Sequence, residues 1–328
     1  MINGLTYIRD AYGTRAKNRP FNPLDPGYLE AWGNPVWRDE FDYRDSLTGQ
    51  PAIDPSKWNI RDRNDLGLLF DAGEPDKSQV SVENGILHIK GEWLDEPYAR
   101  PGNSSGTPLI THKTGYIDTR PLNPGNVSFT QQYGRWEIRA KMPTGPQSYG
   151  ALSAFWLRNT ASGEIDIVEA WGYNTTPTEK GQLPGSSTFT IHSHTTGSGT
   201  PGYQKTFWRV NELLNDYQNM AWSYISKNLP NTTAFDDFRT WAFEYTPTYL
   251  AAYYEGQRYA YTTPTETPWL WEPTYFGQPF HMRLNLHVGP SASYWGIPDP
   301  AHSEWTQDPL DYQIEYIRVY EYVDSEDN

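Results

Sequence analysis

The stretch Gly163-Glu164-Ile165-Asp166-Ile167-Val168-Glu169 decides the fold prediction, because it alternates acids with β-branched residues. The β-branched residues favour a strand. In a regular strand Glu164 and Asp166 share one face and Glu169 lies on the opposite face. A one-residue β-bulge between Asp166 and Glu169 would return Glu169 to the face of the other two acids.

Three carboxylates on one strand face favour acid–base chemistry over core packing, because buried charges need partners. Like charges at close range push their pKa values apart, so one acid stays protonated beside an ionised one. Retaining glycoside hydrolysis needs two carboxyl groups about 5–5.5 Å apart. The Cα atoms of Glu164 and Glu169 would lie about 13 Å apart at roughly 3.3 Å per residue, and the two side chains can lean together on a concave sheet. This interpretation makes Glu164 the nucleophile, Glu169 the general acid/base and Asp166 the hydrogen-bond partner of the nucleophile. The alternative is an edge strand whose acids face solvent.

The segment 164–169 resembles the bulged active-site motif of glycoside hydrolase family 16, which includes laminarinases, agarases, porphyranases and κ-carrageenases. Companion stretches agree in the same order at residues 133–141, 154–157, 241–247, 284–289 and 316–320. The resemblance covers roughly residues 35–323. It implies a concanavalin A-like jelly-roll β-sandwich with a cleft on the concave face, and a retaining mechanism. The sequence pattern by itself supports an all-β sandwich or barrel.

Two tryptophans, Trp156 and Trp171, flank the acidic motif. Each has two interpretations, as a core side chain or as an aromatic platform that stacks on a sugar ring. Asn285 alternates with the apolar residues of the segment 281–288, which directs it away from the core and towards the cleft.

A histidine and an arginine complete the predicted substrate contacts. His192 and His194 share a face of the segment 187–194, where alternation favours a strand. Family members carry a histidine on this strand that reaches the cleft, and His194 is the preferred match. Arg158 begins the segment 158–162, at the place where laminarinases usually carry a Trp-Pro pair.

The resemblance implies an endo-acting retaining hydrolase of a β-linked polysaccharide, with a β-1,3-glucan of the laminarin type as the first hypothesis. The departure at residues 158–162 keeps a β-galactan of the agar, porphyran or carrageenan type open. A transglycosylase would use the same residues, because only the acceptor that resolves the glycosyl-enzyme differs. A non-catalytic lectin on the same sandwich is a further alternative, against which the three intact acids argue.

The predicted organisation is one domain with two appendages. Residues 1–34 form an N-terminal extension packed on the domain, residues 35–323 form the family 16 domain, and residues 324–328 form an acidic tail. The segment 80–90 predicts a hairpin with a type I′ turn at Asn84-Gly85. Proline and glycine predict a long loop over residues 95–110. Apolar residues at helical spacing predict a short helical insertion within residues 203–229.

Composition limits the partners. The formal net charge of −14 excludes nucleic acid and anionic membrane as expected partners, although a local basic patch within the acidic surface could still contact a sulfated glycan. The chain has 0 cysteines, which excludes disulfides and cysteine metal sites. There is no run of 18 apolar residues and no visible signal peptide, so we expect no membrane span. The family usually works outside the cell, so we expect an extracellular monomer that acts on a polysaccharide.

No cofactor is required for the predicted reaction. Many family members hold a structural calcium ion near the first and last core strands. The residues of this chain that match that position are Glu40, Gly85 and Glu315. Calcium takes six to eight oxygen ligands, so these three would form only part of a site.

Overall fold

A computed structural model of the chain describes residues 32–63, 72–99, 109–121, 129–143, 146–161, 163–172, 186–193, 204–211, 224–225, 237–273, 276–289, 301 and 307–323. Within these ranges the chain forms two β-sheets whose apolar faces pack together. The predicted all-β sandwich is therefore confirmed. None of the helices in these ranges is long and apolar enough to cross a membrane.

The strands in chain order are β1 (Trp37–Asp39), β2 (Asn59–Ile60), β3 (Gly73–Pro75), β4 (Val80–Glu83), β5 (Ile86–Ala99), β6 (Leu109–Thr114), β7 (Tyr116–Asp118), β8 (Gly134–Lys141), β9 (Ala151–Arg158), β10 (Gly163–Trp171), β11 (Ser186–Ser193), β12 (Gln204–Asn211), β13 (Tyr224–Ile225), β14 (Arg239–Tyr245), β15 (Leu250–Tyr254), β16 (Gln257–Thr262), β17 (His281–Val288) and β18 (Leu310–Glu321). Short 3₁₀ helices span Lys77–Gln79, Pro146–Ser148 and Pro268–Trp271.

The first sheet has the order β16-β15-β14-β8-β18-β5-β6-β3, with β1 paired to β18 and β4 paired to β5. The second sheet has the order β13-β12-β11-β10-β9-β17-β7-β2. The acidic motif lies on β10, near the middle of the second sheet, with β11 on one side and β9 on the other. Its backbone is therefore held by hydrogen bonds from both neighbours, which fixes the positions of its side chains.

The core lies between the two sheets and follows the predicted alternation. Trp136, Ile138 and Ala140 of β8 are fully buried, as are Met282 and Leu284 of β17. The alternate residues of β17 point to the opposite face of the second sheet, the cleft face. Alternation thus separates an apolar inner face from a polar outer face on the strands that carry the acids.

The hairpin predicted at Asn84-Gly85 is present between β4 and β5. Asn84 has φ 53° and Gly85 has φ 77°. A type I′ turn requires positive φ at both central residues, which asparagine and glycine adopt more readily than other residues. The sequence therefore determined this turn locally.

The predicted loop over residues 95–110 is wrong at both ends, because residues 109–110 begin β6. Residues 95–99 continue β5, which pairs with β6 through a register shift between Trp93 and Tyr98. Pro97 lies within this shift, where the missing N–H of proline breaks no regular ladder. Residues 100–108 lie outside the described part of the chain.

The predicted helical insertion is wrong for residues 204–211. These residues form β12, and all eight of them have Cα partners on β11. A short apolar segment fits helical and extended spacing almost equally well, and backbone pairing with β11 decides between them. Tyr224 and Ile225 form β13, which pairs in parallel with β12, so the prediction is wrong there too. The other residues of the predicted insertion, 203, 212–223 and 226–229, lie outside the described part of the chain.

A buried polar network ties the first sheet together on its outer face. Arg135 donates to Glu244 and to Glu137, both at 2.7 Å, and all three residues are almost completely buried. Glu244 also accepts hydrogen bonds from Trp32, at 2.9 Å, and from Tyr253, at 2.9 Å. Trp32 belongs to the predicted N-terminal extension and its contact with Glu244 agrees with packing on the domain. Residues 1–31 lie outside the described residues, so the domain boundaries stay a prediction.

We expect Glu244→Ala to lower the free energy of unfolding by about 3–5 kcal/mol, because it removes one partner of a buried ion pair. The measurement is urea unfolding followed by tryptophan fluorescence. Glu321→Ala is the matched control, since Glu321 is exposed at the end of β18, and we expect it to change stability by less than about 0.5 kcal/mol. Equal effects of the two substitutions would contradict the role of the network.

Candidate active site

The predicted bulge in β10 is present. The register of β10 against β9 passes from Asp166 opposite Trp156 to Val168 opposite Phe155, so Ile167 is the extra residue. The register against β11 shifts in the same place, between Asp166 and Glu169. Both neighbouring strands therefore return Glu169 to the face of Glu164 and Asp166.

Burial agrees with this assignment of faces. Ile165, Ile167 and Val168 are completely buried in the core between the sheets. The side chain of Glu164 is 14% exposed and that of Asp166 is 7% exposed. The acids thus reach solvent from a largely desolvated position, where interactions between charges are stronger than in bulk water.

Three alternating residues of β11 contact the acids. His192 lies opposite Glu164, and its Nε2 is 2.9 Å from Oδ2 of Asp166 and 3.7 Å from Oε1 of Glu164. Thr188 and Thr190 donate from Oγ1 to Oε2 of Glu169, at 3.3 and 3.1 Å. Each acid of β10 therefore has a polar partner on β11.

The residues of β9 supply a positive charge and an aromatic ring. Arg158 lies opposite Glu164 in register, and its Nη1 donates to Oε2 of Glu164. Trp156 lies opposite Asp166 on the cleft face, where its Nε1 donates to Oδ1 of Asn285 at 2.8 Å. The guanidinium of Arg283 covers the ring of Trp156 at 4.5 Å from its centroid. Trp156 is therefore a cleft residue, and the interpretation as a core side chain is wrong.

A cavity of about 530 Å³ opens beside Arg158, within the size range of small-ligand sites. Its walls include Arg120, Arg158, Asn159, Thr160, His281 and Arg283. Burial, and after it the positive charge of Arg283, lowers the pKa of His281 to about 3. His281 is therefore neutral near pH 7, and its Nε2 accepts a hydrogen bond from Nε of Arg283 at 3.0 Å.

One group of potential metal ligands occurs among the described residues. Glu164, Asp166 and His192 each offer a ligand atom, and these atoms lie within 4.8 Å of one another. Their contacts with each other and with Arg158 already account for this proximity. The arrangement therefore needs no metal ion to explain it.

The residues that match the family's calcium position have other partners. Glu40 pairs with Arg318 through both carboxylate oxygens, at 2.8 and 2.9 Å. Glu315 accepts from Arg139 at 2.5 Å, and Gly85 lies in the β4–β5 turn. Because an arginine occupies each carboxylate, a calcium ion there would have to share these oxygens. The calcium site stays a prediction, and we derive no step of the reaction through it.

The structure brings together most of the residues that the sequence singled out. Glu164, Asp166, Glu169, Trp156, Arg158 and Asn285 all lie on the cleft face. His194 and the side chain of Trp171 lie outside the described part of the chain, so their roles stay predictions. His192 makes the contact with the acids that was expected of His194.

Sequence reasoning missed several residues of the site. Thr188 and Thr190 alternate with Phe189 and Ile191, which is the signal that could have placed their hydroxyl groups beside the acids. His281 belongs to the same kind of pattern, because polar residues alternate with apolar ones along β17. Arg120 follows the short strand β7 and carries no comparable signal, because its position depends on the packing of distant segments.

Comparisons with known proteins identify the family of the chain. The family model described as "Glycosyl hydrolases family 16" matches residues 122–318. A beta-glucanase of Rhodothermus marinus is 28% identical over 88% of this chain and 85% of its own. Glucan endo-1,3-beta-glucosidase A1 of Niallia circulans is 26% identical over 91% of this chain and 39% of its own length. The solved catalytic domain of an endo-1,3-beta-glucanase (laminarinase) from Thermotoga petrophila superposes with a TM-score of 0.60 at 25% identity, covering 88% of this chain and 97% of that domain.

The sandwich and its line of acids define a glycoside hydrolase. The family model covers more than half of the chain, and the chain belongs to glycoside hydrolase family 16. The jelly-roll fold implied by the sequence motifs is therefore confirmed.

We expect deletion of Ile167 to abolish polysaccharide cleavage, because removal of the extra residue turns Glu169 to the core face. The expected loss is at least about a hundredfold, as for removal of a general acid/base. Product release from β-glucan is the measurement, with circular dichroism to establish that the sandwich persists. Ile167→Val keeps the bulge and is the control. A folded deletion variant with undiminished activity would show that the bulge is not needed.

Proposed function

We propose that this chain is a retaining endo-hydrolase of β-1,3-glucans. The observation that carries the proposal is the bulge at Ile167, which is matched in the registers of both β9 and β11. It aligns Glu164, Asp166 and Glu169 along one face. A lectin gains nothing from this alignment, whereas a retaining glycosidase depends on it.

The roles follow from the contacts of each acid. Glu164 is the nucleophile: Arg158 binds its Oε2, and its Oε1 attacks the anomeric carbon of the sugar. Glu169 is the general acid, and it gives its proton to the glycosidic oxygen as the bond to the anomeric carbon breaks. The product of this step is a glycosyl ester on Glu164 and a shortened polysaccharide.

The second step reverses these roles. The carboxylate of Glu169 takes a proton from a water molecule, whose oxygen attacks the anomeric carbon and releases Glu164. Thr188 and Thr190 hold Oε2 of Glu169 and so orient its other oxygen. Asp166 lies between the two glutamates and acts on the nucleophile through His192, whose Nε2 is 2.9 Å from Asp166 and 3.7 Å from Glu164.

Distance is the main geometric requirement of this mechanism. The β11 partners of Glu164 and Glu169 are His192 and Thr188, which are four residues apart. At roughly 3.3 Å per residue this corresponds to about 13 Å between backbones. Two glutamate side chains that lean together reduce this separation towards the about 5–5.5 Å that a retaining enzyme needs.

The assignment of β-1,3-glucan rests on the relatives. Two curated relatives carry the names beta-glucanase and glucan endo-1,3-beta-glucosidase, and the structural neighbour from Thermotoga petrophila is called a laminarinase. Trp156 adds an aromatic ring beside the acids; because Arg283 covers one face of this ring, a sugar would stack on the other face. The proposal includes that the enzyme acts on this polysaccharide outside the cell.

We expect the enzyme to release short oligosaccharides from laminarin, and Glu164→Gln and Glu169→Gln to lower this activity by at least about a hundredfold each. Mixed-linkage glucan, agarose, porphyran and κ-carrageenan complete the panel, and the products are sized by chromatography. Glu272→Gln is the matched control, because Glu272 is exposed and follows the 3₁₀ helix Pro268–Trp271, outside the strands that carry the acids. Undiminished cleavage by both variants would contradict the roles assigned to Glu164 and Glu169. Cleavage of a galactan instead of laminarin would show that the substrate is a galactan and not a β-1,3-glucan.

We expect the first product observed by proton NMR to be the β-anomer, because two displacements at one carbon retain its configuration. Azide separates the two roles. In Glu169→Ala, azide should replace water in the second step and give a β-glycosyl azide, whereas in Glu164→Ala it should give the α-azide. An α-anomer as the first product of the unmutated enzyme would contradict a retaining mechanism.

A further inference from the structure

We propose that the cavity beside Arg158 binds an anionic substituent, a carboxylate or a sulfate ester, on the sugar chain that the enzyme cleaves. This inference rests on the proposed function for its setting, because it assigns a specificity site within the same cleft. It goes beyond that function, since a plain β-1,3-glucan carries no charge.

The charge of the cavity is the first argument. Three of its wall residues are arginines, Arg120, Arg158 and Arg283, and Glu164 is the carboxylate that pairs with one of them. Asp118 lies opposite Arg283 in register, but its carboxylate accepts two hydrogen bonds from Arg61, at 2.7 and 2.8 Å. The cavity is therefore positive, on a chain whose formal net charge is −14.

Mutual repulsion within the cluster is the second argument. Burial, and next the positive charge of Arg283, lowers the pKa of Arg120 below its ordinary value. Within the described ranges, neither Arg120 nor Arg283 forms an ion pair with a carboxylate. The charge of Asp118 acts in the opposite direction on Arg120 but offsets the repulsion only in part, because Asp118 is paired with Arg61. Like charges that are held close together raise the energy of the free protein, and a bound anion relieves this repulsion.

The orientation of Arg283 is the third argument. Its Nε donates to the neutral His281, and its Cζ lies over the ring of Trp156. These two contacts fix the guanidinium, while its terminal amino groups make no hydrogen bond among the residues that the structure describes. A fixed guanidinium with available donors is suited to the planar carboxylate and to the sulfate oxygens.

The position of the cavity identifies the ligand as part of the substrate. Arg158 contacts Glu164 and also lines the cavity. Arg283 lies on β17, two strands from β10, which corresponds to roughly 10 Å at the usual spacing between strands. A group bound there belongs to the sugar in contact with Glu164 or to the next sugar of the chain. The site would therefore select where along a polysaccharide the enzyme cuts.

The test is an affinity selection with the immobilised full-length Glu169→Gln variant, which keeps the Arg158–Glu164 pair intact. Three pools of laminarin oligosaccharides are applied at low salt: neutral, partially 6-carboxylated and partially 6-sulfated. Mass spectrometry counts the retained species. We expect chains with one anionic group to be enriched over neutral chains by about tenfold, the effect of one or two charge-assisted hydrogen bonds. The pool that is enriched identifies carboxylate or sulfate as the source.

Variants in the same background assign the selection to the cavity. Arg120→Gln should reduce the enrichment several-fold, Arg120→Lys should retain part of it, and Arg38→Gln should leave it unchanged. Arg38 is exposed on β1, so Arg38→Gln removes one positive charge from outside the cavity. Absence of enrichment in both anionic pools, or equal enrichment in Arg120→Gln, would overturn the inference.

Cleavage of neutral laminarin by the unmutated enzyme is measured in parallel, so that the two proposals fail separately. Cleavage without enrichment leaves the glucanase proposal standing and removes the anion site. Enrichment without cleavage of laminarin supports the anion site and overturns the neutral glucan as the substrate.

Discussion

One extra residue in β10 is the constraint on which the site depends. Side chains in a strand alternate between faces, so three acids spaced as Glu164, Asp166 and Glu169 are cannot share a face in a regular strand. The bulge at Ile167 resolves this conflict, and both neighbouring strands shift register with it. It also places Ile167 and Val168 together in the core, where both are completely buried. The apolar packing that anchors the bulge thus holds the acids in line.

The rest of the cleft face is organised by charge around this line of acids. The acids lie on β10, hydroxyl groups and a histidine on β11, and arginines on β9 and β17. Because Arg158 neutralises Glu164, three acids can approach one another in a partly desolvated cleft without full repulsion. His281 contributes by its lack of charge: burial among arginines keeps it neutral, so it accepts a hydrogen bond from Arg283 and adds no further positive charge.

The sequence predicted what local rules control. Alternation identified the core face of β17, the Asn84-Gly85 pair identified its turn, and the spacing of the acids required the bulge. Prediction failed where a segment's structure depends on distant partners. Residues 204–211 carry apolar residues at helical spacing, and their pairing with β11 makes them a strand. The positive cavity was equally hidden, because Arg120, Arg158 and Arg283 come from three separate segments and meet only through the order of the strands in the second sheet.

The contrast between the whole chain and the cavity bears on the kind of substrate. A net charge of −14 repels a densely charged polyanion at long range, and this repulsion decays over a Debye length of about 8 Å at physiological ionic strength. Contacts inside the cavity are less screened, because its arginines are partly removed from solvent. A mostly neutral polysaccharide with widely spaced anionic groups is therefore repelled little as it approaches the protein, and each anionic group is attracted by the arginines of the cavity. Such a chain is also compatible with the proposed stacking of an uncharged sugar face on Trp156. The local charge of the cleft thus favours a sparsely substituted glucan over both a neutral one and a fully sulfated one.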